Sequence, residues 1–281
     1  MSAFLKQLYA DRLAFAGLLI VLALGLSALL APALAPYPED VYDIHPAQRL
    51  QPPSRQHPFG TNHMGADLLS RVLFGARITV VIATVAVGSA LLVGVPIGLV
   101  AGFYPGWASE LLMRLADVFL SLPQAVLAIA IAQTLGPSIP NVILALSITY
   151  WPWFARVVFA EVRSLKNEVF VEATQALGVS PWRTLLLHVL PNVATPIIVR
   201  SSIGMGYTIL TAAMLGFLGL GAQPPTPEWG REIAEARQYL PEAWWYATFP
   251  GLAIFVTVMG FNLLGDGLRD VLDPRLRRGR P

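Results

Sequence analysis

EVFVEATQALGVSPWRTLLLHVLPN, residues Glu168 to Asn192, is a polar-amphipathic island set between two long apolar runs, and its reading decides the fold. Its first half, Glu168 to Leu177, consists of good helix formers, with Phe170, Val171, Thr174 and Leu177 on one side and Glu168, Glu172 and Gln175 toward the other. Gly178 stops that helix, because a glycine just past the last turn takes the left-handed conformation at little cost. Ser180 as N-cap and Pro181 at the first helical position then start a second helix, which is expected to end at Pro191. Two short helices joined by a glycine elbow, held outside a bilayer between two spans, form a compact knob that a partner can push.

Composition sets the surroundings of that knob. Hydrophobic residues make up 55% and charged residues 13% of 281, with a mean hydropathy of +0.60, beyond what an ordinary soluble domain tolerates. The expected fold class is an all-α polytopic membrane protein. A net charge of +2 and a pI near 9.0 would elsewhere suggest a nucleic-acid partner, but basic loops on one side of a membrane explain them, and no nucleic acid is expected. The absence of cysteine excludes disulfides, thiol catalysis and thiolate metal sites.

Six spans follow from the hydropathy pattern. After residues 1–12, the uncharged run Leu13 to Ala35 is long enough to cross about 30 Å of hydrocarbon. It exceeds a signal-peptide core in length, so Ala33-Leu34-Ala35 is expected to stay uncleaved and the run to act as an anchor. Pro36 to Arg77 is polar and proline-rich, an external segment leading into an interfacial helix over Ala66 to Arg77. Span two is Ile78 to Phe103, where Gly94, Gly98 and Gly102 fall four apart and form a bare stripe for close helix packing. Span three is expected over Leu111 to Leu135, span four over Asn141 to Ala155, span five over Val193 to Phe217 and span six over Trp244 to Gly265. Trp229 to Leu240 reads as a short amphipathic segment outside the hydrocarbon, and residues 269–281 as a basic tail. With the N-terminus inside, inner segments carry twelve Lys and Arg and outer loops six, which puts both termini and the knob in the cytoplasm.

The run Glu172, Ala173, Thr174, then Gly178, then Leu190-Pro191 resembles the EAA loop of ABC-importer permeases. Thr174 stands where the family pattern has Ala, and His188 where it usually has an aliphatic residue, although His-Val-Leu-Pro-Asn is similar to the dipeptide, oligopeptide and nickel branch. His57 to Arg77, Leu218 to Gly230 and Asn262 to Arg278 are similar to the same branch. The resemblance implies a type I ABC importer-like fold whose loop, with Glu168, Glu172, Ala173, Thr174, Gly178, Ser180 and Pro181, docks onto a separate ATPase. It implies a second homologous permease subunit, two ATP-binding subunits or domains that hold the ATP and magnesium, and an external solute-binding protein, all at a bacterial or archaeal cytoplasmic membrane. The substrate class implied is di- or oligopeptides, with nickel chelates or other small solutes as alternatives.

No cofactor is expected on this chain. Its two lysines, Lys6 and Lys166, do not follow glycine, so it has no Gly-Lys-Ser/Thr phosphate loop, and it has neither a His-Glu-x-x-His nor a Gly-x-Ser-x-Gly motif. His45, His57 and His63 share the outer loop and are potential nickel ligands, though loop histidines are more often simply solvated. Of the charges within or beside spans, Asp117 and Arg200 are the two functional candidates, because burial there is costly unless they are hydrated or paired. They either line a translocation path or lie near the cytoplasmic mouth, Arg200 snorkelling back to it; the second is the plainer reading. A self-sufficient secondary transporter is the rival class. It tends to show internal repeats, broken helices and paired intramembrane charges, and no clear repeat is visible here.

Overall fold

The computed structural model describes residues 11–272, without the side chain of Gln175. The basic residues expected at Lys6 and at Arg275, Arg277, Arg278 and Arg280 lie outside the described residues. Among those described, every regular element is a helix, apart from one isolated bridge between Thr61 and Asp67.

Helix α1 (Arg12–Leu34) begins at Asp11, whose carboxylate accepts from the amides of Leu13 and Ala14. Helix α2 (Leu68–Phe103) is capped by Asp67 and runs 36 residues without a break. The separate interfacial helix ending at Arg77 is therefore corrected: α2 extends to about 54 Å, so its first turns project beyond a hydrocarbon layer of about 30 Å.

The expected third span is broken. Helices α3 (Trp107–Ser121) and α4 (Gln124–Leu135) meet at a 90° bend at Leu122-Pro123. Proline drives the preceding residue out of the helical region, and Leu122 is extended at φ −91°, ψ 140°. Among the described residues five helices are long and apolar enough to cross a membrane, and the bent pair makes six if it is one span.

Helix α5 (Ile139–Leu165) outruns its expected end by ten residues, and α6 (Val169–Ala176) leads into the knob. The expected stop at Pro191 is also corrected, because one rod, α7 (Pro181–Phe217), runs from the knob through the whole span. A π turn over Leu185–Val189 carries it past the proline. There the Leu190 amide reaches back to the Leu185 carbonyl, leaving Pro191 in the first turn of a fresh α-helical segment, where a missing amide costs little. Helix α8 (Trp229–Ala236) is the amphipathic segment, and α9 (Trp244–Leu272) continues beyond the expected end of span six.

Small residues let the rods touch. An added Cβ on Gly98 would lie 2.5 Å from the Ala155 carbonyl oxygen, and one on Gly102 would lie 2.8 Å from Val162 Cβ, so α2 and α5 meet backbone against backbone. Gly94 faces Trp151 and Phe154 along the same seam. At the opposite edge, Gly17 of α1 sits against Gly260 and Leu264 of α9. Leu19, Leu22, Leu26 and Leu29 point outward from α1, an apolar face suited to lipid.

The substitution Gly98→Val is expected to lower the unfolding midpoint of the detergent-purified protein, by an overpacking cost of about 1–3 kcal/mol or more. Gly88→Val on the same helix, where an added Cβ meets nothing within 4 Å, is expected to leave the midpoint near wild type.

Candidate functional site: a knob and a charged cavity

The knob is rigid at its base and bare at its tip. Val171, Leu185 and Val189 are buried against Leu99 and Phe103 of α2 and Val158 and Val162 of α5. Thr174 donates to the Val171 carbonyl at 2.7 Å, and the Thr184 hydroxyl lies 3.3 Å from that of Thr174, stitching α6 to the start of α7. Gly178 has φ +74°, and the Val179 amide reaches back to the Thr174 carbonyl at 3.0 Å, closing α6 with a left-handed cap. Ser180 occupies the N-cap of α7 with Pro181 next, although its hydroxyl makes no capping hydrogen bond. Glu168, Glu172 and Ala173 are exposed, together with the apolar side chains of Val169, Leu177 and Trp182. Leu177 is 81% exposed, an unusual position for a leucine unless another surface covers it.

The second feature is a cavity of about 420 Å³ under the α3/α4 break, walled by Pro123, Gln124, Tyr150, Trp153, Arg200 and Tyr207. Its charges are separately arranged. Asp117 pairs with Arg156 of α5, at 2.8 Å from Oδ1 to Nε. Arg200 lies ten residues into the α-helical segment Leu190–Phe217, with its guanidinium over the Trp153 ring at 4.3 Å from the centroid. The structure thus brings Arg200 to the cavity and couples Asp117 to a different arginine.

Comparison with known proteins decides the family. Residues 94–278 match the model for the binding-protein-dependent transport system inner membrane component, and residues 1–53 match that for the N-terminal transmembrane domain of oligopeptide transport permease C. The chain belongs to the binding-protein-dependent transport permeases. It is 44% identical over 97% of its length, and 89% of the relative's, to the dipeptide transport system permease protein DppC of Alkalihalophilus pseudofirmus. The glutathione transport system permease protein GsiD of Pectobacterium atrosepticum is 42% identical over 98% of this chain and 91% of its own. A chain of the inward-facing MetNI methionine ABC transporter superposes with a TM-score of 0.60, covering 73% of this chain and 98% of its own at 18% identity, a likeness of fold. The family accounts for the helical, multi-span architecture and for a transport component rather than an enzyme.

In this permease the loop end opposite the knob is a built cap rather than an irregular surface. Arg71 and Glu232 form a buried ion pair, with Arg71 Nε 2.6 Å from Glu232 Oε1. Arg71 also donates to the carbonyls of Val41 and Pro225, tying the outer segment to α8. Sequence reasoning counted Arg71 among the six basic residues of the outer loops and did not single out Glu232. A signal was available: Arg71 falls on one face with Leu68 and Gly75, and Glu232 on one face with Trp229 and Ala236, each a lone charge in a buried stripe. The three outer histidines have separate partners. His57 is bonded to Asp67 at 2.9 Å and His63 to Tyr246 at 2.8 Å, while His45 faces Asp40 at 3.4 Å. Glu228 caps α8 through the amides of Gly230 and Arg231. Burial dominates there, pushing its carboxyl up to about 7 despite those two hydrogen bonds.

Removing one partner of the buried pair, as in Arg71→Met, is expected to cost about 3–5 kcal/mol, read as a lower unfolding midpoint. The Glu228 carboxyl is raised when folded, so its contribution is fully present below the ordinary carboxylate range and is lost as pH rises through about 7. Melting curves between about pH 4.5 and 8 should therefore show stability falling in wild type and a flatter profile in Glu228→Gln.

Proposed function

We propose that the chain is the membrane-spanning permease subunit of an ATP-driven, binding-protein-dependent peptide importer, in which the knob receives the stroke of a separate ATPase. The observation that carries this reading is mechanical. A tip of exposed apolar and acidic side chains stands on a base wedged between α2 and α5 and continuous with α7. A push on the tip must therefore move three spans together. Glu168, Glu172, Ala173, Gly178 and Pro181 supply the docking face, and Thr174 and Ser180 belong to the elbow behind it.

The relatives' names favour peptides over nickel chelates, since dipeptide, di/tripeptide and glutathione systems all appear among them. The cavity is open on one side, with Trp153 and Tyr207 of its lining exposed, which argues for a second, similar permease subunit, with two ATPase domains beneath the pair and the ATP and magnesium held there. The outer cap around Arg71 and Glu232 is the surface for an external solute-binding protein, and both termini lie with the knob in the cytoplasm by the bias of basic residues. The α3/α4 break and the Asp117–Arg156 pair are features shared with ion-gradient transporters. Vanadate-sensitive uptake separates the two readings, since an ion-driven carrier would fail only when its gradient collapses.

Gly178→Val puts a branched side chain at φ +74° with no atom in its way, a local backbone cost of about 1–2 kcal/mol that distorts the elbow alone. In the reconstituted assembly it is expected to abolish ATP-driven peptide uptake while the subunit still inserts. Normal uptake by that variant would count against the knob as the coupling element.

A further inference from the structure

Arg200 is a cation on the spanning part of α7, about two turns beyond the knob, with no counter-ion among the described residues. A guanidinium stays charged at every physiological pH, and within a hydrocarbon layer that charge is tolerated only where water or an anion meets it. Among the described residues no carboxylate lies within ion-pair distance of Arg200, and its Nε, sealed from solvent, has no hydrogen-bond partner. Asp117, the nearby acid of the same bundle, is committed to Arg156.

The site around it is organised rather than loose. Trp153 stacks on the guanidinium and is itself held by its indole N–H donating to Gln124 Oε1 at 3.1 Å. Stacking fixes the plane of the guanidinium, whose donors lie along its edges. Gln124 opens α4, so the positive end of a helix begins on the same wall. Tyr150 and Tyr207 stack nearly parallel and also line the cavity. The volume of about 420 Å³ falls in the range of about 300–1,000 Å³ typical of small-ligand pockets. A planar, bidentate donor facing such a space matches a carboxylate.

We infer that Arg200 is the anchor of a transit subsite that takes the free C-terminal carboxylate of the peptide cargo as it passes the permease. This rests on the peptide-importer reading and adds a residue-level specificity to it. Selection is then made twice, once by the external binding protein and again by Arg200 in the membrane.

The test uses the complete assembly with its partner subunits and binding protein in liposomes. Alanylalanine and its C-terminal amide are the probes, each supplied at saturation of the binding protein so that its own preference drops out. Wild type should import the acid faster than the amide. Arg200→Gln should lower import of the acid about tenfold or more, while amide import and ATPase stimulation stay within about twofold, and Arg200→Lys should recover part of the difference. An unchanged acid-to-amide ratio in Arg200→Gln overturns the inference. So does equal loss of both probes with separation of the two permease subunits, which would assign Arg200 to an ion pair across their interface. A wild-type assembly that hydrolyses ATP but imports neither probe removes the peptide-importer reading itself, and the subsite with it.

Discussion

The bare seam between α2 and α5 is the constraint on which the other parts depend. Gly94, Gly98 and Gly102 bring the bare backbone of α2 against the carbonyls of Trp151, Ala155 and Phe159 and the Cβ atoms of Phe154, Val158 and Val162. Lipid is as apolar as leucine, so helices in a bilayer gain little from hiding greasy surface and must gain from close dispersion contact instead. The seam supplies that contact over three turns, and its lower end, at Val162 and Phe103, is where the knob's Val171 and Leu185 come to rest. Rigidity at the knob is thus inherited from packing inside the membrane. Helix α6 is only eight residues long and would not hold its place without this base.

What was legible in the residues follows from what local patterns encode. Hydropathy located the runs of apolar sequence, a period of four picked out the glycine stripe, and Gly178 announced its left-handed cap because few other residues fit there. The breaks were harder. Pro123 and Pro191 are both prolines in apolar surroundings, yet one ends a helix with a right-angle bend and the other is absorbed by a π turn. The difference lies in whether neighbouring carbonyls find other donors. At Pro191 the Asn192 side chain bonds the His188 carbonyl, a tertiary detail that propensity does not carry. Hydropathy cannot see the bend at Pro123, since both halves are equally apolar.

The charges show the same division. Arg71 and Glu232 are 161 positions apart in sequence, so nothing local links them; only their placement on otherwise buried faces hinted that each needed an opposite charge. Asp117 and Arg200 were recognisable as the costly residues of their spans, but nothing in the sequence named the partner of either. Arg156, which reads as the basic exit of span four, reaches Asp117 because α5 continues as a straight helix past the expected end at Ala155. Span length decided the pairing.

One rod connects the two features that matter. Helix α7 begins at the elbow with Pro181, carries Arg200 into the cavity and ends at Phe217, close to Gly216, whose backbone lies against the Glu228 carboxylate that caps α8. The π turn carries α7 past Pro191, so the knob and the span belong to one helical rod and a displacement of the knob reaches the span. That displacement must tilt or slide α7 against α5, and the Arg200–Trp153 stack is a contact between those two helices. Any motion that opens the stack also frees the plane of the guanidinium and alters its hold on an anion. The same movement that shifts the spans would therefore weaken the grip on what they carry, which is the order of events that vectorial transport requires.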